Sequence, residues 1–170
     1  RTSSSAASDV YKRQVQFYKE GYGTPILVGR EEKVLAAIEK IGLKEAKGIE
    51  IVNASKSNKN HEYLEFLYKR LNRRGYLERD CQRLVNQDRN IFASCMVANG
   101  DADGLVTGST RNYFVAYDDI TRVIDPAPKS RIFGMSIIMV EGRTLFVADT
   151  TVHYNPCLLY TSDAADDDVR

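Results

Sequence analysis

The run Thr107-Gly108-Ser109-Thr110-Arg111 holds the residue types that a phosphate or an acyl carbonyl would need around it. Glycine lets the backbone approach a ligand, the hydroxyls can donate hydrogen bonds, and Arg111 brings positive charge just ahead of a helix whose free N–H groups favour an anion. The same spacing also describes an ordinary Ser/Thr helix cap beside a solvated arginine, and both readings stand at this point. A second candidate is Asp149-Thr150-Thr151, which follows the apolar run Leu145-Phe146-Val147-Ala148. A carboxylate and hydroxyls at a strand end could orient a substrate, although a turn-capping aspartate has the same pattern.

Other polar clusters carry less. Asp101-Ala102-Asp103-Gly104 lacks the longer ligand series of a calcium loop, so a turn is the better reading. Arg70, Arg73, Arg74 and Arg79 surround Gly75, where a helix end attracts cations without any ligand; they form an anion site only if the fold brings them to a cleft. His61 and His153 have no recognisable partners. Cys81 and Cys95 stand in no CxxC or Cys/His spacing, so neither a zinc site nor a disulfide framework is suggested, and a reducing cytoplasm is the expected compartment. There is no GxGxxG after a strand and no GKS or GKT, which points away from a nicotinamide or P-loop nucleotide site in this stretch. With 24 Lys and Arg against 23 Asp and Glu, nothing suggests a nucleic-acid partner, and no apolar run is long enough to span a membrane.

The two ends have a different origin from the middle. Ser4 to Gln14 can be encoded by a DNA string whose reverse complement, shifted by one base, encodes Cys157 to Asp166 letter for letter. That string resembles a transposase adapter used to prepare sequencing libraries. Residues 1–14 and 157–170 are therefore expected to be non-native tails around a partial domain at 15–156.

Within that stretch the chain alternates strands and helices. Val15 to Tyr18 has the character of a helix end, followed by a Gly21-Tyr22-Gly23 exit. Pro25 to Gly29 is a short β-branched strand, and Arg30 to Ile41 a helix with Val34, Leu35, Ile38 and Ile41 on one face. Gly48 to Asn53 repeats the strand, and His61 to Arg74 is a helix burying Leu64, Leu67, Tyr68 and Leu71 before Gly75. Glu78 to Asn99 should form one or two helices with Leu84, Val85, Ile91, Phe92, Cys95 and Met96 inside. A strand at Gly104 to Thr107, a helix from about Asn112 to Ile124 and a break at Asp125-Pro126-Ala127-Pro128 follow. Arg131 to Val140 and Thr144 to Val152 then make a hairpin across Glu141-Gly142-Arg143. This order predicts an α/β fold with a largely parallel sheet and helices on both faces, a three-layer α/β/α arrangement. Its ligand site would lie beyond the carboxyl ends of the strands.

The ordered motifs resemble the phosphate acetyl/butyryltransferase family, above all the version fused to the carboxyl end of bacterial NADP-dependent malic enzymes. The matching stretches are Pro25 to Glu31, Glu62-Tyr63 with Arg73-Arg74-Gly75, Asn86-Gln87-Asp88-Arg89-Asn90, Gly100 to Gly104 with Thr107-Gly108, Thr110-Arg111-Asn112-Tyr113, and Phe146 to Thr150. They run in family order across nearly all of residues 15–156. Asp80 to Arg83, Asn86 to Asn90 and Thr110 to Tyr113 favour the malic-enzyme branch.

The resemblance implies an incomplete first lobe of a two-lobed fold, acetyl-CoA or a related acyl-CoA as ligand, and homo-oligomers built through this domain. It assigns acyl-CoA or phosphate binding to Thr107, Gly108, Ser109, Thr110, Arg111, Asp149, Thr150, Arg73 and Arg74. The family's catalytic serine/aspartate pair belongs to a second half outside this stretch, so no catalytic residue is expected here, nor any cofactor or metal. A malic-enzyme parent would use NADP and magnesium or manganese in an amino-terminal part beyond this chain. Free-standing transacetylases carry two arginines that fall here on Leu71 and near Tyr117-Asp118. Loss of those guanidinium groups favours a regulatory acetyl-CoA-binding domain over acyl transfer between CoA and phosphate, the alternative, although Arg70 and Arg111 lie close to the lost positions.

Overall fold

A computed structural model describes residues 12–40, 48–108, 111–128, 130, 132–148 and 152. They divide into two compact units, one ending at Asp125 and one beginning at Pro126.

The first unit opens with a helix over residues 12–19, α1, which crosses the expected boundary between residues 14 and 15 without a break. The chain then enters β1 (Ile26–Val28), α2 (Glu31–Lys40) and β2 (Glu50–Val52). β1 and β2 pair in parallel, with Leu27 opposite Ile51 and Val28 opposite Val52. Alternation along a strand sends neighbouring side chains to opposite faces, so this short sheet has two apolar sides. Leu27, with Ile49 and Ile51, packs against Val34 and Ile38 of α2. Ile26, Val28 and Val52 face the other way, onto the main core. Helices therefore cover both faces, as the sequence order predicts. Gly29 lets β1 turn closely into α2, since a Cβ there would press on Val34 Cγ2 at 3.1 Å.

The main core lies among α3 (Asn60–Leu71), α4 (Glu78–Gln87), α5 (Arg89–Ala98) and α6 (Tyr113–Val123). Tyr63, Leu67, Leu71, Val85, Ile91, Phe92 and Val123 are all buried in it. Each of the aliphatic and phenylalanine side chains contributes about 1.5–3 kcal/mol by leaving water. Tyr63 and Phe92 meet edge to face at 5.2 Å between ring centroids. A 3₁₀ turn at Asn72–Arg74 follows α3, and Gly75, at φ 87°, closes it. Glu78 to Asn99 is two helices because Asp88 leaves the helical region (φ −100°, ψ 114°) and caps α5, accepting from the N–H groups of Asn90 and Ile91.

Three sequence expectations change. Gly104 to Thr107 is not a strand, and Val106 is wholly exposed. A β-prone run forms a strand only where another strand accepts its ladder, and the parallel sheet among the described residues contains β1 and β2 alone. Leu35 lies 43% exposed on α2, and Ile41 is outside the described residues. On α3, Tyr68 is at the surface while Tyr63 takes the buried place.

The second unit contains the hairpin of β3 (Met135–Val140) and β4 (Arg143–Ala148), antiparallel with Val140 opposite Arg143. Glu141 (φ 48°) and Gly142 (φ 77°) form the two-residue turn, whose paired positive φ angles match the twist of the strands. β3 begins later than expected, at Met135, and residues 149–151, where β4 was expected to continue, lie outside the described residues. No helix among the described residues is long and apolar enough to cross a membrane.

Candidate functional site

The Thr107–Arg111 segment begins after α5 and ends where α6 starts. Asn112 caps α6, its side-chain oxygen accepting from the Phe114 N–H at 3.0 Å. Arg111, one residue earlier, is directed into the protein. Its Nη1 donates to Asp88 Oδ2 and to Asp119 Oδ2, each at 2.7 Å. Asp88 thereby serves twice, capping α5 with Oδ1 and holding Arg111 with Oδ2. Asp119, on α6, is buried at 5% exposure and also accepts from Asn90 Nδ2 at 3.1 Å. Asn90, buried beside it, accepts from the Thr107 hydroxyl at 2.7 Å. Arg122 completes the group, bonding Asp118 and approaching Asp119 Oδ1 at 3.8 Å.

This network sets what the segment can do. Arg111 and Arg122 face three carboxylates, those of Asp88, Asp118 and Asp119, so their charge is already met from within. The hydrogen bond to Asp88, more than any other interaction, pushes the Arg111 guanidinium further up its already high range and keeps it charged. Gly108, at φ 111°, leaves open space where a side chain would stand, as a close backbone approach requires.

The structure brings together Thr107 and Arg111 from the expected set. Ser109, Thr110, Asp149 and Thr150 lie outside the described residues. Arg73 and Arg74 are exposed on the 3₁₀ turn, and no hydrogen bond or ion pair among the described residues links them to Thr107 or Arg111. Arg70 is occupied elsewhere, donating from Nε to the Arg122 carbonyl at 2.7 Å and gripping both carboxylate oxygens of Asp125. That grip, with Arg74 adding its charge, holds the Asp125 carboxyl below its usual range. Leu71, the position onto which the family resemblance places an arginine of free-standing transacetylases, is fully buried in the core.

Asp101 is also tied inward, accepting from Lys59 Nζ at 2.9 Å and from the Tyr63 hydroxyl at 2.7 Å. These bonds, the one from Lys59 foremost, lower its pKa, and the turn reading of Asp101 to Gly104 fits them. Among the described residues no group of three His, Cys, Asp or Glu side chains is placed to hold a metal ion. Burial pushes the Cys95 thiol up to about 12 and raises Cys81 as well, so both sulfurs stay protonated inside the core.

Sequence reasoning missed Asp119 and Asn90 as the centre of this network. Asp88 carried a local signal, an acidic residue directly ahead of an apolar helix. Asp119 carried none, because it lies mid-helix and eight residues from its partner Arg111.

Comparison with known proteins agrees with the fold and with the family resemblance. The chain is 49% identical over 154 residues to an NADP-dependent malic enzyme of Rhizobium meliloti, covering 90% of this chain and 20% of that protein. It is 42% identical over 149 residues to a probable NADP-dependent malic enzyme of Rickettsia prowazekii, covering 87% of this chain and 19% of that one. The chain thus spans about a fifth of the length of these relatives. Among solved structures, the EutD phosphotransacetylase from Staphylococcus aureus superposes with a TM-score of 0.74 at 26% identity, over 86% of this chain and 44% of its own. The Phosphate acetyl/butaryl transferase family model matches residues 5–166, and the chain belongs to that family.

Proposed function

We propose that the chain is part of the phosphate acetyltransferase-like domain of an NADP-dependent malic enzyme, in which the domain binds acetyl-CoA and regulates the enzyme. The parent enzyme oxidatively decarboxylates malate to pyruvate in the cytoplasm as a homo-oligomer. Its NADP and its magnesium or manganese belong to a portion outside this chain. Residues 1–14 and 157–170 are adapter-derived tails in this reading. In the first unit Thr107, Gly108, Ser109, Thr110, Arg111, Arg73 and Arg74 are the proposed acyl-CoA contacts, and Asp149 and Thr150 are those proposed for the second.

The observation that carries the reading is the identity to malic enzymes, well above that to the phosphotransacetylase. The buried Leu71 supports it, because an apolar side chain there cannot neutralise phosphate. Regulation requires acetyl-CoA to bind the enzyme's active and less active states unequally. The test is malate-dependent NADP reduction by the complete polypeptide, titrated with acetyl-CoA. A change in rate or in half-saturation for malate is expected, without acylation of CoA from acetyl phosphate. Malate turnover indifferent to acetyl-CoA, together with transacetylase activity above a vector control, would establish the catalytic acyltransferase instead.

A further inference from the structure

Asp119 is the only buried carboxylate among the described residues. Burying an ionised carboxyl is costly unless partners satisfy it, so its surroundings warrant an explanation. The Oδ2 atom takes Arg111 Nη1 at 2.7 Å and Asn90 Nδ2 at 3.1 Å, and Asn90 Oδ1 takes the Thr107 hydroxyl. The residues that immediately precede and follow the Gly108–Thr110 stretch are thus both referred to one oxygen atom.

The chemistry of these bonds fixes which groups remain for a ligand. A carboxylate only accepts, so Asn90 must present its amide N–H to Asp119 and its carbonyl oxygen to Thr107. The Thr107 proton is then committed to Asn90, and its oxygen can only accept from a ligand. Asp88 and Asp119 together use both hydrogens of Arg111 Nη1. The Nε and Nη2 hydrogens of Arg111 have no partner among the described residues, on a side chain 33% exposed. Those two nitrogens form a planar edge that suits two oxygens of one phosphate.

We infer that Asp119, with Asn90 as its relay, is the positioning residue that holds Thr107 in place and turns the Nε–Nη2 edge of Arg111 toward a phosphate group of the ligand. This rests on the reading above, in which the ligand is acyl-CoA. Asp88 shares the grip on Arg111 but is also the cap of α5, so its substitution would disturb the helix as well. Asp119 makes the cleaner test.

Amide hydrogen exchange on the full chain separates positioning from general stability. Asp119→Asn should speed exchange at Phe114 and Ala116, whose N–H groups bond Asn112 next to Arg111, by about ten- to a hundredfold, as expected for loss of a charge-assisted bond, with α3 and α4 unchanged. Thr107→Val should speed it about tenfold, and Thr107→Ser, which keeps the hydroxyl, should restore the wild-type pattern. In the complete enzyme, Asp119→Asn and Arg111→Lys should each weaken acetyl-CoA binding by about tenfold or more, measured by calorimetry, because the lysine keeps the charge but lacks the planar edge. Wild-type acetyl-CoA affinity in Asp119→Asn, or an even rise in exchange across α3 to α6, would overturn the inference. If acetyl-CoA does not bind the wild-type enzyme, the functional reading fails separately. Titration with inorganic phosphate then decides between a phosphate site that depends on Asp119 and no positioning role at all.

Discussion

Leu71→Arg installs the side chain that the family resemblance places at this position in free-standing transacetylases, and its outcome distinguishes a core position from a cleft position. Leu71 is fully buried among Leu67, Cys81, Val85 and other apolar groups of the main core. Truncation to alanine would cost about 2–5 kcal/mol in lost burial and cavity formation, whereas Leu71→Met should cost less than about 1.5 kcal/mol. Arginine adds the cost of placing a guanidinium where no carboxylate waits, since Arg70 already occupies Asp125. A penalty above about 4 kcal/mol is therefore expected, close to the whole stability of a small domain. Urea unfolding followed by far-UV circular dichroism would show a large fall in midpoint for Leu71→Arg and little change for Leu71→Met. Neither the 170-residue chain nor the variant should acylate CoA from acetyl phosphate. A variant that unfolds at the wild-type urea concentration, or that gains transacetylase activity, would refute the assignment of Leu71 to the core.

Two further outcomes follow from local features. Asp101 has a depressed pKa in the folded state, so its contribution to stability is complete above about pH 4, the unfolded value, and is lost as the pH falls through the folded one. Asp101→Asn should accordingly flatten the acid limb of a stability–pH profile while leaving its slope above pH 6 unchanged, and an unaltered acid limb would count against the Lys59–Asp101–Tyr63 cluster. The β3–β4 hairpin exposes Met135, Ile137, Met139, Leu145 and Phe146, which mark it as surface that needs cover. The isolated chain should bind a hydrophobic dye and leave the hairpin amides unprotected from exchange; a single cooperative transition at high temperature with protected hairpin amides would contradict this.

The helices were legible because their apolar residues recur at helical spacing with marked ends. Val34 and Ile38, Leu64, Leu67 and Leu71, and Ile91, Phe92 and Cys95 all take the buried places that period assigns. The hairpin turn was legible because Glu141-Gly142 is short, polar and ends on the residue that best tolerates positive φ. The Gly104–Thr107 strand was misread for a reason no local pattern can supply. Strand propensity describes what a segment prefers against a neighbour, and the presence of that neighbour is a property of the whole fold. Tyr63 and Tyr68 differ in the same way. Both lie on the apolar stripe of α3, but Tyr63 has Phe92 for its ring and Asp101 for its hydroxyl, whereas Tyr68 has neither partner.

At the candidate site the sequence singled out Thr107 and Arg111 but not the network that holds them. Thr107 and Arg111 were chosen as groups that face a ligand, since a hydroxyl and a guanidinium beside glycine suit an anion. Both instead spend hydrogen atoms on the protein first, Thr107 on Asn90 and Arg111 on Asp88 and Asp119. A guanidinium held at one end is better suited to recognition than a mobile one, because less conformational freedom is lost when a phosphate engages the other end. The carboxylates that neutralise Arg111 therefore weaken its long-range pull on anions while sharpening its geometry. A segment built in this way should discriminate among phosphate-bearing ligands by fit more than by charge, as the regulatory acyl-CoA site proposed above would require.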